Sequence, residues 1–140
     1  MKLIAHRGNI DGPNKLENHP SYIDSALQLG FDCEVDVWYI DGNYMLGHDS
    51  PDYIVKKLFL QNKKLWCHSK NLQALEHMVE DKIHCFWHQT DDFTLTSNGY
   101  IWTYPQKNLC KKSIIVQLDS VNNVPLGCYG ICSDYVSKKK

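Results

Sequence analysis

Apolar residues along this chain fall into short runs of strand length, separated by amphipathic or polar stretches. The first run is Leu3-Ile4-Ala5-His6, and the polar loop after it is broken by Gly8, Gly12 and Pro13. Residues 20–30 open on Pro20, place Tyr22, Ile23, Ala26 and Leu27 at helical spacing and close on Gly30. That pattern predicts a helix. Residues 31–40 read as a strand, and Asp41-Gly42 marks a tight turn into Tyr44-Met45-Leu46. Ser50-Pro51 opens a second predicted helix with Ile54, Val55 and Leu58 on one face. A third buried strand is expected at 65–68, and Leu72, Leu75, Met78 and Val79 give the stripe of a third helix. Further strands are expected at 83–88, 100–104, 113–118 and 128–132.

Strands alternating with helices predict an α/β fold, a parallel sheet with helices outside it. A full (β/α)8 barrel usually needs roughly 200–250 residues, and this chain has 140. The expectation is therefore a reduced TIM-like barrel of about seven to eight short parallel strands with few helices. One domain is expected over residues 1–136, followed by a short basic tail at 137–140.

Composition narrows the function classes. A formal net charge of -1 leaves no basic footprint for nucleic acid. No apolar run approaches the roughly 18–20 residues of a membrane span, and no secretory leader pattern precedes the first strand, so a cytoplasmic location is expected. The six cysteines form no Cys-x-x-Cys pair and read as buried or half-buried thiols, with structural zinc a minor alternative. A barrel this thin could bury apolar surface by forming a homodimer, with Trp38, Tyr39 and Trp66 as the residues to check.

Polar side chains recur at the C-terminal ends of the expected strands, the edge where barrels and open α/β sheets bind ligands. His6-Arg7 follows the first strand, His48-Asp49 the hairpin, His68-Ser69-Lys70 the third strand, His88-Gln89 the fourth, and Asp134 the last. Glu34 and Asp36 stand two apart in a strand, so both carboxylates point to one face. Burying two carboxylates side by side calls for a compensating cation. Singly, each of these residues has an ordinary reading as a strand-end polar group or an ion-paired side chain. Jointly they suit phosphodiester cleavage. That reaction needs charge neutralised on the non-bridging oxygens, one proton removed from the nucleophile and one delivered to the leaving oxygen. Two histidines can move both protons near neutral pH.

The series "IAHRG", "LENHPSYIDSALQLG", "CEVDVWYIDGNYMLGHD" and "GICSDYV" closely resembles the glycerophosphodiester phosphodiesterase family. The likeness is dense over residues 3–49 and returns at 130–136; "YIWTYP" also resembles a strand of that family, while 51–99 matches only in pattern. The resemblance implies a phospholipase-C-like barrel hydrolase acting on small-molecule phosphodiesters, with a link to lipid metabolism. It implies His6 and His48 as the catalytic general base and general acid, and Arg7 and Lys70 as phosphate contacts. It implies Glu34 and Asp36 as ligands of one divalent metal ion. Glu17 and Asn18 match a Pro-Glu-Asn element in which Leu16 replaces the proline, and with His88 they are expected to support the site. Attack by a neighbouring substrate hydroxyl, through a cyclic phosphate, is also implied.

One departure concerns the metal. Where the family carries a carboxylate-x-lysine, this chain has His68-x-Lys70, making His68 the candidate third ligand. Mg²⁺ or Ca²⁺ follows from the resemblance, whereas an imidazole ligand opens Mn²⁺ or Zn²⁺. The alternative reading is a non-catalytic module that binds phosphodiesters in the same pocket without turnover. Trp87 and Trp102 are candidate aromatics for a headgroup- or sugar-binding cleft, although aromatics at strand spacing are more often core.

Overall fold

The computed structural model describes residues 1–120 and 123–139. The first apolar run forms β1 (Lys2–His6), and Pro20 starts α1 (Pro20–Gln28), whose free N-terminus is capped by the His19 ring accepting from the Ser21 N–H. α1 buries Ile23 and Ala26 and stops at Gly30, which turns the chain at φ +94°. β2 (Asp32–Ile40) turns through Asp41-Gly42 into β3 (Asn43–Leu46), which pairs with β4 (Tyr53–Val55). One short turn of helix, α2 (Lys57–Leu60), leads to β5 (Leu65–Ser69). α3 (Leu72–Glu80) is capped by Asn71, whose side chain also exchanges two hydrogen bonds with the Tyr39 backbone and so ties the helix to β2. The chain continues through β6 (Cys85–Phe86), β7 (Phe93–Leu95), β8 (Ile101–Thr103), β9 (Ser113–Val116) and β10 (Gly130–Ser133), and Val136–Lys139 form a 3-10 turn.

These ten strands make one curled, mixed sheet, a half-barrel and not the reduced TIM-like barrel expected from the alternation of strands and helices. β1 lies at its centre, parallel to β2 and β10; parallel pairing runs outward through β5 and β6 on one side and β9 and β8 on the other. β3, β4 and β7 are antiparallel additions. Among the described residues no ladder joins β6 to β8; Phe86 of β6 stacks on Trp102 of β8, and the Ser97 N–H beyond β7 donates to the Cys85 carbonyl at 2.8 Å. The physical reason lies in the connections. A parallel crossover is usually a helix that covers the sheet, but among the described residues no helix lies between β8 and β9 or between β9 and β10, leaving α1 and α3 as the nine-residue helices.

The helix expected after Ser50-Pro51 is instead strand β4 and the single turn α2. Its residues follow a period of two, with Val55 buried and Ile54 turned out to solvent. β7 lies in a stretch where no element was expected. Trp66, a candidate interface residue, is buried at 3% exposure and belongs to the core. The thiols of Cys33, Cys67, Cys85 and Cys132 are buried and that of Cys128 is half-buried, but Cys110 is exposed; all six are unpaired. No helix among the described residues is long and apolar enough to cross a membrane.

The pleat sorts side chains onto two faces. On the convex face Cys33, Val35, Val37, Leu65 and Cys67 pack with Ile23 and Ala26 of α1 and Ala74 and Met78 of α3. On the concave face Ile4, Trp66, Phe86, Trp102, Ile114 and Cys132 form a second cluster. His6, Glu34, Asp36 and His68 share this concave parity, His6 and His68 lying two residues past Ile4 and Trp66 and Asp36 two residues past Glu34, the partner of Trp66. That displacement stacks the polar groups above an apolar floor.

Candidate active site

Register brings the polar groups together: His6 pairs with Glu34 across β1–β2, and Asp36 with His68 across β2–β5. The atoms that Glu34, Asp36 and His68 could offer a metal all lie within 4.8 Å of one another. His68 Nε2 is 2.9 Å from the His88 carbonyl, which can only accept, so Nε2 carries the proton. In the neutral ring this leaves the Nδ1 lone pair aimed at two carboxylates, 3.3 Å from Asp36 Oδ1 and 3.7 Å from Glu34 Oε1. A lone pair against carboxylate oxygens is repulsive unless a proton or a metal ion lies between them. Burial opposes protonation of His68, but the Asp36 contact and the Glu34 charge outweigh it and raise its pKa. Asp36 Oδ1 is itself buried with no hydrogen-bond partner among the described residues.

The two carboxylates differ. Glu34 is pushed up by burial, and the neighbouring Asp36 charge adds to the rise. Asp36 would also be pushed up by burial, but contacts with His48 and His68 and the Arg7 charge hold it well below the usual carboxylate range. Asn18 grips it from behind: its amide N–H donates to Asp36 Oδ2 at 2.9 Å and its carbonyl oxygen accepts from the Asp36 N–H at 2.9 Å. Asn18 holds φ +63° and Arg7 φ +53°, left-handed conformations in which non-glycine residues are strained. Two backbone bonds anchor that strain, Arg7 N–H to the Glu34 carbonyl and Asn18 N–H to the Arg7 carbonyl.

Arg7 fans over the site. Its Nε lies 3.0 Å from Asp36 Oδ2, Nη1 donates to Glu17 Oε2 at 3.1 Å, and Nη2 donates to His48 Nδ1 at 2.6 Å. Because a guanidinium only donates, His48 Nδ1 accepts and the proton of the neutral ring sits on Nε2. His48 Nδ1 is also 3.4 Å from Asp36 Oδ2, but the shorter arginine contact decides the tautomer. Gly47 places this histidine by close approach: a Cβ there would collide with the Ser50 carbonyl oxygen. The Trp38 indole N–H, donating to the Gly47 carbonyl at 2.7 Å, fastens the turn.

His6 faces the cluster from β1. Its Nδ1–H donates to Asp134 Oδ1 at 2.8 Å, turning Nε2 inward to 3.9 Å from Glu34 Oε2. Burial lowers the affinity of His6 for a proton, but the Asp134 bond and the Glu34 charge more than offset it, so its pKa is raised. Asn9 bridges Asp134 and Glu17, donating at 2.7 and 2.8 Å.

These groups line one end of a cavity of about 320 Å³, where His6, Arg7, Glu34, His48 and His68 meet His88. The other end is walled by Trp102, Tyr104, Pro105, Val116 and Leu118. Asp36 and Asn18 are buried beneath, and Glu17 braces Arg7. Lys70, expected beside the phosphate, is not among the lining residues; it follows the end of β5, where its N–H donates to the Val37 carbonyl. Asp134, expected among the strand-end polar groups without an assigned role, holds His6, and the site also contains Asn9, which carried no sequence signal.

The residues present suit a divalent cation. Two ligands at the roughly 2.1 Å typical of small divalent ions lie about 3 to 3.5 Å apart, near the Nδ1–Asp36 and Nδ1–Glu34 separations given above. Two carboxylates and one imidazole are a borderline donor set. A scan against protein-family models and searches of curated proteins and of solved structures find nothing that matches this chain.

Proposed function

We propose that this protein is a metal-dependent phosphodiesterase that cleaves a glycerophosphodiester-like substrate by histidine acid–base catalysis. The observation that carries the reading is the buried, unpartnered Asp36 Oδ1 beside Glu34 and the His68 Nδ1 lone pair, under a cavity that His6, Arg7 and His48 also line. The resemblance of the His-Arg-Gly, Glu-x-Asp and His-Asp series to glycerophosphodiester phosphodiesterases supports the same reading. Glu34, Asp36 and His68 would hold the cation, which would supply Lewis-acid stabilisation of the negative charge that develops on the phosphate.

The chain's own groups do the rest. Arg7 binds the phosphate as a fixed cation. His6, with Nδ1–H held by Asp134, presents Nε2 to take the proton of the attacking hydroxyl; the resulting imidazolium is the form that Asp134 and Glu34 favour. His48 delivers a proton from Nε2 to the leaving oxygen. A neutral imidazole is too weak an acid for that role, so Nδ1 must first take a proton from solvent, which reaches the half-exposed ring. Arg7 Nη2 therefore leaves His48 when it turns to the phosphate, and Asp36 Oδ2, 3.4 Å away, accepts from the new Nδ1–H. Phosphate binding thereby arms the acid.

The test is hydrolysis of glycerophosphodiesters, an aryl phosphodiester and a cyclic phosphate with Mg²⁺, Ca²⁺, Mn²⁺ or Zn²⁺, using the wild type, His6→Ala and His48→Ala. Turnover that needs metal and falls at least about 100-fold in either variant supports the proposal. If no diester turns over with any metal while phosphate still binds, the pocket is a non-catalytic phosphodiester-binding site.

A further inference from the structure

The two ends of the cavity are chemically unlike. We propose that the wall formed by Trp102, Tyr104, Pro105, Val116 and Leu118 is a subsite for an apolar alcohol arm, an alkyl or aryl group, on the substrate phosphodiester. This inference rests on the phosphodiesterase reading and specifies its substrate class. A glycerol or sugar arm would need hydrogen-bond partners along its length. The wall offers one hydroxyl, on Tyr104, and beside it the His88 ring, whose Nδ1 is buried and unpartnered. Among the described residues Glu34, at the polar end, is the one carboxylate lining the cavity, so a cationic headgroup would meet no counter-charge among the wall residues.

The wall is also built to stay in place. Trp102 is 4% exposed and stacks on Phe86 with ring centroids 4.5 Å apart, continuing the apolar floor of the concave face. Tyr104 (46% exposed) and Leu118 (37%) stand at the rim with uncovered apolar surface. A ligand arm leaving the phosphate end would cover both. The volume, about 320 Å³, lies at the low end for small-molecule sites and suits a short arm beside a phosphate group.

The experiment measures binding, so leaving-group reactivity does not intrude. Dissociation constants are determined with Mn²⁺ present for inorganic phosphate, glycerol phosphate, and ethyl, butyl and hexyl phosphate, on the wild type and on Leu118→Asn. Each methylene that enters the subsite should tighten binding about fourfold, so hexyl phosphate should exceed glycerol phosphate by at least tenfold. Leu118→Asn should shrink that gain severalfold while inorganic phosphate binds unchanged. Equal affinities along the series, a preference for glycerol phosphate, or a chain-length gain indifferent to Leu118→Asn overturns the subsite and leaves the phosphodiesterase reading standing. If neither phosphate nor any monoester binds, the reading itself falls and the subsite falls with it.

Discussion

Replacing Glu34 with glutamine should move the metal-free and metal-bound proteins in opposite directions. Glu34 is 2% exposed, and burial together with Asp36 raises its carboxyl pKa. The folded pKa therefore lies above the unfolded one, and this group subtracts stability increasingly as pH rises past the ordinary carboxylate range. A neutral amide of the same shape removes that penalty, so metal-free Glu34→Gln should melt at or above the wild type at pH 8. With metal the order reverses. A cation at 100 times its Kd stabilises the folded state by about 2.7 kcal/mol, which at this chain length raises Tm by about 10 °C. Losing one of two carboxylate ligands should weaken binding at least about 100-fold. The same Mn²⁺ concentration then contributes only about 0.4 kcal/mol, or about 1–2 °C. Differential scanning fluorimetry with and without Mn²⁺, after chelator treatment, reads both effects. An equal Mn²⁺ shift in the two proteins would place the ion elsewhere and refute the reasoning.

Asp134→Asn should lower kcat by about 100-fold or more with a smaller change in KM, and NMR titration should show the His6 pKa falling, since the Asp134 hydrogen bond helps raise it. Outside the cavity lining, buried His84 shares a hydrogen bond with Thr96 Oγ1 at 2.9 Å, and burial pushes its pKa down to about 4. Its folded pKa lies below the unfolded value, so stability is complete above about pH 6.5 and declines as pH falls toward 4, by about 2 kcal/mol after allowance for partial solvent access. Urea unfolding at pH 4.5 and 7 should show a smaller acid loss in His84→Gln than in the wild type. Gly47→Ala forces a Cβ onto the Ser50 carbonyl and should cost about 2–3 kcal/mol, read as a lower urea midpoint, with activity lost through displaced His48.

The site was more legible than the fold. Its polar groups lie at strand ends, and the period of two in Glu34-x-Asp36 fixes their common face whatever surrounds the sheet. Strand direction has no such local mark. Ser50-Pro51 resembles a helix start, yet Tyr53–Val55 pairs antiparallel with β3 because the chain turns back at Gly47. The expected all-parallel barrel failed for that reason and because the described residues after β8 and β9 supply no covering helix. Strand parity set Lys70 on the face of His68, but β5 ends at Ser69 and Lys70 does not line the cavity. The apolar wall gathers Trp102, Tyr104, Pro105, Val116 and Leu118 from β8, β9 and the ends of their loops, so no periodicity along the chain could announce it.

The central claim couples a cation at Glu34, Asp36 and His68 to phosphodiester cleavage. The most direct single measurement is the rate of Mn²⁺-dependent hydrolysis of one diester by the wild type and Glu34→Gln at matched, saturating substrate, each with and without excess EDTA. The account predicts wild-type turnover that EDTA abolishes and that Glu34→Gln reduces at least about 100-fold. Turnover that survives EDTA, or equal rates in the two proteins, would contradict it.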